Sequence, residues 1–203
     1  EVETVFRIFI SMLLCCCIST AAWAHSSGWQ ESKHIRAELV SEYQQVMPGQ
    51  KLLLVLHFIP DEHWHTYWQN PGDSGLPTSI SWQLPRGVST GPIQWPTPQA
   101  FSIPPLMNYG FAGPTILLTE LTIPLDYTDS SLPIKAKVDW LVCEEICIPA
   151  DAEFQLELTV GSAAVLSDSA TALIAQGKSS QPLPLAVRGS FDTAGGSFSA
   201  AVS

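Results

Sequence analysis

Basic residues are scarce. The 203-residue chain carries 9 Lys and Arg against 19 Asp and Glu, a formal charge of −10, and no basic run anywhere. Phosphate contacts need clustered cations, so a nucleic-acid surface is excluded. No glycine-rich phosphate loop is present, and no Ser/His/Asp or paired-carboxylate pattern supports hydrolysis. After the first residues no apolar run is long enough to cross a bilayer. Charged residues make up only 14% and hydrophobic ones 46%, so a sizeable core is available and global disorder is excluded. Cysteine is also sparse, and its distribution is the informative feature.

Three of the five cysteines, Cys15, Cys16 and Cys17, lie in an apolar run from Ile8 to Ile18 that follows Arg7. Ala22-Trp23-Ala24 then forms the A-x-A pattern of signal-peptidase cleavage before His25, so residues 1–24 read as a secretory signal. A buried strand, an N-terminal anchor or a lipid-modified cysteine are the other readings. With the signal removed, Cys143 and Cys147 remain, an even number in an oxidising compartment.

The rest reads as short apolar stretches between turn residues. Ile35 to Val40, Lys51 to Pro60, Thr78 to Pro85, Thr115 to Leu125, Ile134 to Val142 and Glu153 to Val160 have strand character. Turn chemistry separates them, as in "NPGDSGLP" and "DYTDSSLP". The pattern predicts an all-β, immunoglobulin-like antiparallel sandwich over residues 25–162. A proline-rich, aromatic segment at 94–113 interrupts it and reads as one long ordered loop. Residues 163–203 read as a linker followed by the start of a second β unit. The linker holds a short helix with Ser167 as N-cap and Gly177 as its stop. The last strands lack a closing element, as in a piece of a longer protein.

"WLVCEEICIP" (140–149) holds the two cysteines. Fully extended, five residues would hold the Cα atoms about 13 Å apart, whereas a disulfide needs them within about 7 Å. The chain must therefore turn, and the strand-like flanks favour a tight hairpin. As a staple it would contribute only about 2 kcal/mol in the loop-entropy picture. Zinc lacks a second cysteine pair; His63 and His65, with Met47 or Met107, leave copper conceivable. Glu144 and Glu145 lie between the sulfurs, and the nearest cations in sequence are Lys135 and Lys137. Local charge thus disfavours a self-activated thiolate and suits a couple driven by a docked partner.

"VDWLVCEEICIPADAEFQLEL", "HWHTYWQNPGDSGLPTSISWQLPRG" and "NYGFAG…LLTELTIP" resemble the N-terminal periplasmic domain of the DsbD/ScsB family of transmembrane thiol–disulfide reductases, more closely its ScsB-like branch. The resemblance spans roughly residues 34–160. It implies an immunoglobulin-like domain without a cofactor, acting as a thiol–disulfide oxidoreductase whose Cys143 and Cys147 cycle between dithiol and disulfide. Electrons would come from the full-length protein's own thioredoxin-like domain through a membrane domain, and would pass to thioredoxin-fold periplasmic proteins. The full-length protein would be tethered to the inner membrane. By family order Cys147 forms the mixed disulfide, and a cap loop at 98–113 shields the sulfurs, with Tyr109 and Phe111 as the shield and Phe101 behind them. Asn108 stands before Tyr109 with no acid nearby, a departure from the acidic caps of the best-known members. The rival reading is an immunoglobulin-like binding or copper-tolerance module, with a structural disulfide or Cu(I)-binding thiols.

Overall fold

The computed structural model describes residues 25–183, 187–192 and 196–202; the signal expected over 1–24 lies outside them. Two five-stranded sheets pack face to face as an immunoglobulin-like sandwich. The first runs β1 (Gln30–Ser32), β2 (Ile35–Ser41), β4 (Lys51–Pro60), β10 (Thr115–Thr122), β7 (Ser89–Gln94). The second runs β13 (Val165–Leu166), β3 (Tyr43–Val46), β12 (Cys147–Val160), β11 (Ser131–Cys143), β6 (Ser79–Gln83). All pairings are antiparallel except β3 with β12, where Gln45 and Val46 run parallel to Thr159 and Val160.

Two kinds of sequence pattern build these sheets. β11 and β12 alternate strictly. Leu132, Ile134, Val138, Trp140 and Val142 point inward with Phe154, Leu156 and Leu158, while the intervening residues mostly face solvent. β4 and β10 are apolar almost throughout because both their faces are covered. Leu54, Leu56, Phe58, Leu117 and Leu121 fill the sandwich, and the Phe58 ring meets Trp140 edge-on at 5.2 Å. Val55, Ile116 and Leu118 face the other way, against Ala170 and Ile174 of the single described helix, α1 (Asp168–Ser179).

The helix differs from expectation at both ends. Ser167 stands at the N-cap position, but its hydroxyl lies 3.0 Å from the Ser169 hydroxyl and caps no backbone N–H. Gly177 does not stop the helix. It lies inside it, buried against Ile116 and Leu118 of β10, and two more residues follow. The expected second β unit corresponds to a hairpin of β14 (Val187–Asp192) and β15 (Ser197–Val202). No helix among the described residues is long and apolar enough to cross a membrane.

The largest departure lies at 94–113. In place of one loop, the chain forms β8 (Gln99–Ile103) and β9 (Leu106–Phe111), a hairpin turning at the cis Pro104–Pro105 bond. With β5 (Thr66–Gly72) they make a separate three-stranded sheet in the order β5-β9-β8. The prolines that argued against strands occupy the turn or precede β8, where no ladder donor is needed.

Candidate redox site

The β11–β12 ladder runs from Ser131↔Thr159 to its last pair, Cys143↔Cys147. Glu144, Glu145 and Ile146 form the turn, closed by Glu144 N–H donating to the Ile146 carbonyl at 3.2 Å. Direct opposition across a hairpin brings the cysteine Cα atoms to 4.2 Å, and the two sulfurs are bonded. The tight hairpin expected from the spacing is therefore present. Lys137 lies six residues down β11, about 20 Å along the strand, and its ammonium sits 3.9 Å from Asp139. No lysine on the hairpin is placed to offset Glu144 and Glu145 at the tip.

The two sulfurs have different surroundings. Cys143 is 1% exposed, whereas Cys147 is open to solvent. Cys143 is covered because a third strand-like segment reaches it. His65 N–H donates to the Cys143 carbonyl, and Cys143 N–H donates to the His65 carbonyl, both at 2.9 Å. This bridge docks the three-stranded sheet against the hairpin tip. Two residues on, the Tyr67 hydroxyl lies 3.5 Å from Cys147 Sγ. Burial pushes the Tyr67 phenol above its usual pKa, with the Ser74 hydroxyl acting the other way. Burial likewise holds the His65 imidazole below its usual value.

The loop after β5 fixes these side chains. Gly75 has φ +94°, and a Cβ there would overlap the Tyr67 ring, so the phenol is held by a position that only glycine suits. Asn108, 1% exposed, ties the same loop to β9. Its Oδ1 accepts from the Ser74 N–H at 3.0 Å and the Ser74 hydroxyl at 3.1 Å, and its Nδ2 lies 2.9 Å from the Ser74 oxygen. Asp73 adds a second tie, its Oδ2 accepting the Met107 N–H at 2.7 Å.

Tyr109 and Phe111, expected as the shield, and Phe101, expected behind them, lie on different faces. Pairing of Tyr67 with Gly110 and of Phe101 with Asn108 puts Tyr67 and Phe101 on the face toward the disulfide. Phe101 stacks on the His65 ring at 4.8 Å, with 23° between planes. Tyr109 and Phe111 occupy the opposite face by the same register. Tyr109 is partly exposed, and Phe111 is buried beside a cleft of about 180 Å³ that Gln176 and Ser180 also line. His63 and His65 do not share a strand face. His63 has φ +72° and an exposed ring, whereas His65 is buried. Residue-level reading missed Tyr67 and Gly75 as site residues, and it named His65 only as a conceivable copper ligand and Asn108 only as a departure in the cap loop. The one signal for them was the alternation of His65 and Tyr67 just before a turn-rich loop.

The family model for "Thiol:disulfide interchange protein DsbD, N-terminal" matches residues 36–159. No curated protein sequence matches the chain. Among solved structures, the N-terminal periplasmic domain of ScsB from Proteus mirabilis is similar at a TM-score of 0.64 and 20% identity, which speaks to the fold. That match covers 81% of this chain and 64% of the other, so the chain spans under two thirds of its length. The GAE domain of yeast GGA1 aligns at a TM-score of 0.33 and 11% identity, over 63% of this chain and 94% of that one, too low to bear on the fold. The family match includes the whole cysteine hairpin, β5 and the β8–β9 sheet, and the chain belongs to the DsbD N-terminal domain family.

Proposed function

We propose that the chain is a periplasmic thiol–disulfide relay domain, a protein-disulfide reductase component. It receives two electrons from a thioredoxin-like domain of its own full-length protein and passes them to thioredoxin-fold partners through Cys143 and Cys147. Membership in the family supports the chemistry. The observation that carries the reading is the asymmetry at the hairpin tip, with one sulfur buried and the other open. Stepwise exchange uses that difference: the open sulfur can be attacked while the buried one waits to resolve. This bridge also joins residues that the ladder already holds opposite each other, so its contribution as a staple is small.

In the working direction the Cys147 thiolate attacks a partner disulfide. A Cys147–partner bond forms, and the partner's other sulfur leaves with the electron pair. Cys143 then displaces the partner from Cys147, restoring the internal disulfide and leaving the partner as a dithiol. Exposed Ile146 beside Cys147 offers a docked partner apolar contact, while Glu144 and Glu145 favour a partner with a basic rim. Phe101 acts as the shield, through its stack on His65. Tyr109 and Phe111 serve the outer face and the helix side of the cap sheet.

Cys143→Ser should accumulate a mixed disulfide with thioredoxin-fold proteins through Cys147, because the resolving thiol is gone. Cys147→Ser should accumulate far less, its remaining thiol being buried. Non-reducing gels of periplasmic extracts with mass spectrometry read both. If neither variant traps a thioredoxin-fold protein, the disulfide is structural and the rival binding-module reading stands.

A further inference from the structure

His65 is a buried titratable group at the disulfide to which the exchange steps above assign no role. It is 6% exposed, and among the described residues nothing donates to or accepts from its Nε2. Leaving a buried polar nitrogen unpaired costs stability, so its retention needs a reason. The two backbone hydrogen bonds between His65 and Cys143 form an antiparallel bridge, which sets their side chains on one face as directly opposed neighbours. Phe101 lies against the imidazole at 4.8 Å, and Tyr67 meets it edge-on at 5.4 Å.

Few ionisable groups face this ring. Tyr67 does so from its own strand, and Cys143, bonded to Cys147, from β11. From β8 the facing group is Phe101, and on β9 the same face carries Asn108 and Gly110. Glu144 and Glu145 stand at the exposed tip. Burial lowers the imidazole's proton affinity, so near neutral pH the ring is uncharged and able to accept a proton.

We propose that His65 is the proton-transfer residue for the Cys143 sulfur, an inference that rests on the relay reading. In the mixed disulfide, the Cys143 thiol gives its proton to the neutral imidazole. The sulfur's freed electron pair attacks Cys147 Sγ, the Cys143–Cys147 bond forms, and the Cys147–partner bond breaks. The partner's sulfur leaves with that electron pair and is protonated by the imidazolium or by water. In the reverse direction a donor thiol gives its proton to the imidazole as its sulfur bonds Cys147, Cys143 leaves as a buried thiolate, and the imidazolium so formed protonates it. A bare thiolate in that dry position would be poorly solvated, which is why the proton must be handled locally.

Ellman's reagent separates the two thiols of the reduced chain. Attack by exposed Cys147 releases one thionitrobenzoate, and displacement by Cys143 releases the second. In His65→Gln the first release should keep its rate, while the second slows about 100-fold at pH 7, at the low end for general acid–base catalysis. The second release should then climb with pH toward the ordinary thiol range near about 8.5. Unchanged second release, or equal slowing of both, overturns the proposal. A measurement on the unaltered chain guards against a folding defect. By NMR, His65 should titrate at different pH in the disulfide and dithiol forms, and identical titration also overturns it. Failure of Cys143→Ser to trap a partner would count against the relay reading, whereas the Ellman and NMR results concern the cysteine pair itself, so the two failures are distinguishable.

Discussion

The β11–β12 hairpin and the three-stranded β5-β9-β8 sheet meet at the same disulfide but are held by different forces. The hairpin shaft is welded into the sandwich by a continuous apolar face, with Leu132, Ile134, Phe154 and Leu158 all fully buried. The small sheet leaves apolar side chains unburied: Leu106, Met107 and Tyr109 on β9 are exposed. Its fixing points are polar or steric, namely the Asn108–Ser74 and Asp73–Met107 ties, the His65–Cys143 bridge, and the close approach of β9 to β5 at Gly110. Burial energy scales with apolar area, so the shaft is rigid and the cover is the weaker unit. A redox pair benefits from that division. The sulfurs need a fixed mutual geometry, while the cover over Cys143 has to yield to local opening at low free-energy cost.

The sharpest way to separate the two regions is to damage each in turn. Phe154→Ala, inside the shaft, should lower global stability by about 3–5 kcal/mol, read by chemical denaturation. It should leave the relative alkylation of Cys143 and Cys147 in the folded, reduced protein unchanged. Gly110→Val should do the opposite. Any Cβ at Gly110 overlaps the Thr66 backbone carbonyl, and a backbone atom cannot swing aside. Overpacking of this kind costs about 1–3 kcal/mol, which is roughly 5- to 150-fold in a local opening equilibrium. Iodoacetamide should then modify Cys143 faster by that order, read by mass spectrometry, with little change in the global unfolding midpoint. If Gly110→Val instead lowers global stability as much as Phe154→Ala, the cover and the shaft are one cooperative unit.

The same contrast explains what the sequence disclosed. Strands of the sandwich are legible because burial imposes a period: Phe154, Leu156 and Leu158 alternate, and β4 is apolar almost throughout because α1 covers its outer face. The cysteine hairpin is legible because only three residues between the cysteines leave few ways to close a disulfide. The cover sheet is not. Its strands carry Gly, Pro, Asn and Ser, residues that read as loop, and they pair because glycine permits close approach and polar side chains tie the turns. That register also decides which aromatic faces the sulfurs, so Phe101 could not be told from Tyr109 before the pairing was known. Tyr67 escapes notice, and His65 reads only beside His63 as a conceivable copper ligand, for the same reason: only the bridge to Cys143 places them at the site.

A smaller perturbation tests whether the cover does chemistry as well as shielding. Tyr67→Phe removes only the hydroxyl 3.5 Å from Cys147 Sγ, and the ring that packs over Gly75 remains. In the dithiol form that hydroxyl can donate to the Cys147 thiolate. Losing one hydrogen bond worth about 1 kcal/mol should slow the first thionitrobenzoate release about fivefold. The phenol is buried and hard to ionise, so the effect should persist unchanged across neutral pH, and the melting temperature should barely move. The second release, which depends on Cys143, should keep its rate. Slowing of both releases together would mean that the ring's position had shifted, and that the cover acts on the two sulfurs as one body and not through separate contacts to each.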